Sequence, residues 1–192
     1  AIFARIIAEA PVDAKYTGEA HYLTAVALGR AKRYEEAIAH HQTVVDNWPK
    51  HHLAYSSLYW IGDFCQKLKR QGLLTAAEAD AKSEEAFVAL LDNYPECSLV
   101  GHTLGRLGSL KYDARAFKEA VVYYEMFLEQ EKKEGQAYNL VLYKLARSYE
   151  HLGKHSRAKE LLTEFMTVSD SANPLRKAVE AILEKYNRTN LN

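Results

Sequence analysis

Residues 107–132 read LGSLKYDARAFKEAVVYYEMFLEQEK, and two small residues in that stretch, Gly108 and Ala120, stand twelve positions apart, with Lys132 twelve further on. The same ladder recurs as Ala25, Ala37, Pro49 and as Ala146, Ala158, Asp170. A fourth copy keeps Ser83 and Pro95, but Gly62 precedes Ser83 by 21 positions instead of twelve. Helices that cross closely need small side chains where they touch, and a proline or other poor helix former ends each pair. A fixed period of this kind predicts a stacked array of helical hairpins. The expected fold is all-α, a right-handed helical-hairpin solenoid.

Composition agrees. A chain of 192 residues, 48% apolar and 26% charged, can bury a continuous core without staples. Nine Gly and four Pro are too few for many short strands and turns. Twenty-five acidic and 25 basic side chains cancel, so no global field draws the protein to nucleic acid or an anionic membrane. No apolar run is long enough for a membrane span. Cys65 and Cys97 are too few for a disulfide framework, and they fall at opposite ends of one hairpin.

The reading is helix nearly throughout one domain, 1–192, with hairpins at 16–49, 52–95, 99–132 and 135–170. Residues 1–11 read as the second helix of a hairpin whose first helix is missing, with Phe3, Ile6 and Ile7 on its apolar face. The expectation is a piece of a longer array, or a half-repeat completed by another molecule. Asn173-Pro174 predicts the start of a capping helix, 174–187, with Asn as N-cap and Pro in the first turn. Repeat two carries an extension around Gln66 to Ala76, where Gly72 makes the turn and Thr75-Ala-Ala-Glu78 restarts the helix as a capping box. Leu73 and Leu74 at that tip either pack on the neighbouring hairpin or protrude toward a partner.

These units resemble tetratricopeptide repeats. Ile61-Gly62 with Ser83, Phe87 and Pro95, and Leu107-Gly108 with Ala120 and Tyr124, carry the resemblance; so does Leu145-Ala146 with Ala158, Leu162 and Phe165. Tyr34-Glu-Glu-Ala37 and Phe117-Lys-Glu-Ala120 open second helices in the family manner. Thr24-Ala25 in place of Leu-Gly, and His41 in place of an aromatic, are departures. The first helices are about one turn longer than in the familiar repeat of about 34 residues. That long form is similar to repeats of bacterial envelope proteins such as the Tol–Pal coordinator and the outer-membrane assembly lipoproteins. It favours periplasm or envelope over cytoplasm.

Chemistry finds little purchase. Adjacent His40-His41 and His51-His52 point about 100° apart on a helix and do not converge on a metal. Gly153 separates His151 from His155, and no Cys-x-x-Cys or His-Glu-x-x-His motif is present. Neither a phosphate loop nor a nucleophile elbow appears. The expectation is no catalytic residue, no metal and no cofactor.

What the resemblance implies is a binding groove lined by the first helices. The residues flanking each small position would face it: Tyr22 and Arg30, then Tyr59, Asp63 and Lys67, then His102, Arg106 and Ser109, then Tyr143, Arg147 and Glu150. Tyrosine and arginine are the residue types that dominate protein–protein hot spots. The basic members favour an acidic or carboxylate-bearing segment. The Lys and Asn pairing used by chaperone-tail-binding members is missing, since Tyr22, Val26 and Trp60 hold those positions. The function expected is a non-catalytic protein–protein interaction scaffold that binds a partner segment in the groove. The alternative is a self-assembling structural subunit, a homo-oligomer that organises a larger envelope or enzyme complex through its open N-terminal half-repeat.

Overall fold

A computed structural model of the chain describes Ile7 and residues 16–189. Among these residues the helices are α1 (Thr17–Arg30), α2 (Tyr34–Asn47), α3 (Ala54–Gln71), α4 (Ala76–Asn93), α5 (Val100–Asp113), α6 (Phe117–Gln130), α7 (Gly135–His151), α8 (His155–Val168) and α9 (Arg176–Thr189), with no strand. The all-α hairpin repeat is therefore as expected. Phe3 and Ile6, on which the half-repeat reading rests, lie outside the described residues, and Ile7 is half-buried in helix.

The chain forms two compact units, Ala1–Thr103 and Leu104–Asn192. In the first, α1 packs on α2, α2 on α3 and α3 on α4. In the second, α6 packs on α7, α7 on α8 and α8 on α9. Within each unit, α2, α3, α7 and α8 thus pack on a helix at either side in the chain, which is how a stack buries faces that one hairpin leaves bare.

The small-residue ladder is the contact line. Ala25, Ala37, Ser83, Ala120, Ala146 and Ala158 are all completely buried. In repeat two the Phe87 ring lies against Gly62, so near that a Cβ there would stand 2.5 Å from it. In repeat three Tyr124 does the same to Gly108, again at 2.5 Å. The aromatic one turn after the second small residue fills the space that the first leaves open. Burying one such ring stabilises the fold by roughly 2–3 kcal/mol. In repeat one His41 takes that place, fully buried, with Nδ1 3.1 Å from Ser57 Oγ. Ser83 adds a hydrogen bond across the hairpin, its hydroxyl donating to the Gly62 carbonyl at 2.8 Å.

Repeat two is longer because α3 and α4 each run 18 residues, against 14 for α1 and α2. Its tip is ordered as expected. The Thr75 N–H donates to Glu78 Oε2 at 3.0 Å and the Glu78 N–H to Thr75 Oγ1 at 3.3 Å, a complete capping box. Leu73 is 59% exposed and borders a shallow pocket shared with Arg33 and Tyr34, while Leu74 is half-buried.

One boundary needs correction. The last helix starts at Arg176, not at Pro174. The Asn173 side chain accepts from the Leu175 N–H at 2.9 Å and its carbonyl from the Arg176 N–H at 3.1 Å, so Pro174 and Leu175 form a turn before the helix. The side chain that was expected to cap the helix makes an Asx turn instead. The helix lies on α8 with Val179 fully buried.

Candidate functional site

The first helices of the first unit present a mixed face. On α1, Tyr22 is half-buried, edge-on to His41 at 5.4 Å between ring centres, and Arg30 is exposed. On α3, Tyr59 is only 9% exposed and packs on Phe87, which withdraws it from the contact role that the spacing suggested. Asp63 is buried too, and its Oδ2 is 2.9 Å from Lys67 Nζ. The same ammonium stands over three rings, 4.9 Å from the centre of Phe64 and 5.5 Å from those of Tyr34 and Trp60. His102, on α5, is exposed.

In the second unit Arg106 of α5 is exposed, and Tyr143 and Arg147 of α7 are half-buried. Ser109 Oγ lies 3.2 Å from the Tyr124 hydroxyl, so it joins the core contact of its own hairpin. The Arg147 guanidinium donates to Glu150 Oε2, while Glu150 Oε1 accepts from the Tyr186 hydroxyl of α9 at 2.7 Å. Burial, and next the hydrogen bond to Glu150, raise the Tyr186 phenol above its ordinary range. Glu150 therefore clamps the capping helix and neutralises Arg147 at once.

Two of the cations expected to meet an acidic partner, Lys67 and Arg147, thus already hold a carboxylate of their own. Neither pairing is a surprise of spacing, since Asp63–Lys67 and Arg147–Glu150 stand four and three apart on one helix. The ring set around Lys67 was not readable, because Tyr34 comes from the preceding hairpin.

Elsewhere the structure joins His21 to His40, with their Nδ1 atoms 2.9 Å apart. Burial lowers the pKa of both. Among the described residues no group of three His, Cys, Asp or Glu side chains could hold a metal ion. Cys65 and Cys97 are both free, and burial pushes the Cys65 thiol up, away from the reactive thiolate. No helix among the described residues is long and apolar enough to cross a membrane.

Residues 140–168 match the model of the tetratricopeptide repeat, which spans most of α7 and all of α8. The fold is similar to the crystal structure of nearly identical TPR-like repeats from a putative kinesin light chain of Podosopora anserina, with a TM-score of 0.59 and 16% identity over 94% of this chain and 82% of that one. A point variant of the same protein gives a TM-score of 0.60 and 16% identity, over 96% of this chain and 84% of that one. No curated protein matches. Residues 140–168 are thus similar to a tetratricopeptide repeat, and the fold around them is TPR-like.

Proposed function

We propose that this TPR-like array is a non-catalytic protein–protein interaction scaffold whose first-helix faces take up a partner segment. The observation that carries the reading is the contrast along α1, α5 and α7. Their small residues are sealed completely, while Tyr22, Arg30, His102, Arg106, Tyr143 and Arg147 stay at least partly open. Close packing beneath holds those side chains without the ordering penalty that a flexible binder meets. Half-open tyrosine and arginine offer broad area and forked donors, suited to an extended segment with carboxylates.

Charge shapes the expected affinity. A partner carboxylate reaching Arg147 exchanges with Glu150, so the net gain is the difference between two similar ion pairs and is small. Arg30, which is exposed, is the better anchor for an acidic segment.

Selection of peptides from a random library against the chain, with affinities then read by fluorescence polarisation, tests this. Enriched peptides rich in Asp and Glu, and an affinity loss of at least tenfold for Arg106→Glu with Tyr143→Ala, are expected. Equal affinity for that double variant, with an unchanged circular dichroism melt, refutes the assignment of the face.

A further inference from the structure

A second feature of the second unit lies where α7 begins and the chain passes from α8 to α9. A cavity of about 570 Å³ opens there, bounded by Gly135, Asn139, Leu140, Val168, Asp170 and Pro174 among others. Asn139 is 5% exposed, and its Oδ1 is buried with no hydrogen-bond partner. Buried polar atoms are almost always satisfied, so an orphan acceptor on a cavity wall asks for a donor from outside.

The neighbours define that donor. Asp170 brings a carboxylate whose Oδ1 accepts from the Ala172 N–H at 2.9 Å and from Ser171 Oγ at 3.4 Å, which leaves Oδ2 open. Leu140 (44% exposed), Val168 and Pro174 make an apolar wall beside these two acceptors. The start of α7 argues the other way. Its N-cap, Glu134, offers no side-chain hydrogen bond, so free backbone N–H groups at Gly135 and Gln136 would welcome an anion. That helix end is worth about half a positive charge, less than the full negative charge of Asp170, and the end of α8 at Val168 opposes it. A carboxylate, moreover, has no hydrogen to give Asn139 Oδ1.

We propose that this cavity binds the side chain of an arginine from a partner. Its methylene stem lies on Leu140, Val168 and Pro174, and its planar fork donates to Asn139 Oδ1 and Asp170 Oδ2. A guanidinium has five N–H donors in one plane, enough to reach two separate acceptors, and its stem tolerates an apolar wall. The proposal uses none of the residues assigned to the first-helix faces, so either can fail alone.

The test is a titration of the full chain, labelled with nitrogen-15, by N-acetyl-arginine amide, with N-acetyl-norleucine amide and sodium acetate as comparisons. Saturable shifts at Asn139, Leu140 and residues 168–175 from the arginine probe are expected, at least fivefold weaker with the norleucine probe. Asp170→Asn and Asn139→Leu should each weaken the arginine probe at least fivefold while the thermal melt stays intact. Equal binding of the uncharged probe, shifts with acetate alone, no saturation by the arginine probe, or an unchanged affinity in the folded Asp170→Asn chain would each overturn it. Library peptides that still bind the first-helix faces in that case leave the scaffold reading standing.

Discussion

At Gly108 the helix has no room for a methyl group. A Cβ there would lie 2.5 Å from two Tyr124 ring carbons, and that ring is completely buried. Gly108→Ala gains about 1 kcal/mol of helix propensity but must displace a packed ring, which costs roughly 1–3 kcal/mol. A net loss of about 1 kcal/mol in a urea titration is the expected outcome. Gly105, three residues earlier, is the control, because its nearest contact would be Phe127 at 3.4 Å, an ordinary separation. Gly105→Ala should be neutral or stabilising, and a loss equal to that of Gly108→Ala would mean that the ring contact is not the cause. His41 makes a second argument at this scale. Burial is the main cause that lowers its pKa from 6.5 to about 4, helped by the charge of His40. Between those values the unfolded chain binds a proton that the folded chain refuses. The His41 contribution to stability should therefore fall as pH drops from about 6.5, by up to about 3 kcal/mol, and level off below pH 4. His41→Phe, which restores a ring without a titrating nitrogen, should flatten most of that slope in chemical denaturation at pH 7, 6, 5 and 4. The remainder belongs to His21, His40 and His51, whose pKa values burial also lowers.

The four hairpins turn by one device. After α1 the Lys32 N–H donates to the Gly29 carbonyl and the Arg33 N–H to Leu28, at 3.1 and 3.0 Å. The pairs Arg115 to Tyr112 with Ala116 to Lys111, Gly153 to Glu150 with Lys154 to Tyr149, and Gly72 to Lys69 with Leu73 to Leu68 repeat it. These are Schellman turns, and each requires one residue in the left-handed region. Glycine takes that position twice, at Gly72 and Gly153, each with φ +73°. Lys32 and Arg115 take it with φ 61° and 59°, at a steric penalty that glycine avoids. Lys32→Gly and Arg115→Gly should each stabilise the chain by about 1 kcal/mol, and Gly153→Ala should destabilise it by a similar amount. Differential scanning calorimetry reads all three, and a drop in Tm for Arg115→Gly would show that the Arg115 side chain contributes more than its backbone loses. Because the turn is common to all four, the longer repeat two needs no new joint. It adds a turn of helix to each arm and closes with the same bonds.

Across the whole molecule, what was legible in the sequence is what depends on side-chain volume at a fixed period. Ala25, Gly62, Gly108 and Ala146 could be named as contact points because helices can approach only where little stands between them. The face opposite was legible only in part. Tyr59 satisfies the spacing for an open position and is buried, since the ring that meets it, Phe87, belongs to another helix. Asn139 drew no notice, because its cavity depends on the path of residues 169–175, and loop paths leave no periodic trace. The turn at Pro174 and Leu175 was hidden for the same reason. The capping helix offers a test at this scale. Its Tyr186 hydroxyl holds Glu150 of α7, and its Arg176 Nη1 donates to the Met166 and Ser169 carbonyls at 3.1 and 2.9 Å, where α8 ends. Truncation after Asp170 removes these bonds and uncovers the α8 surface that Val179 seals. In a stack each repeat feels chiefly its neighbours, so the loss should be local. Amide hydrogen exchange of the truncated chain should show protection lowered at least tenfold in α7 and α8 and unchanged in α1 to α4. Uniform loss along the chain would mean that the array unfolds as one cooperative body, and unchanged protection in α7 and α8 would mean that α9 is an appendage and not a cap.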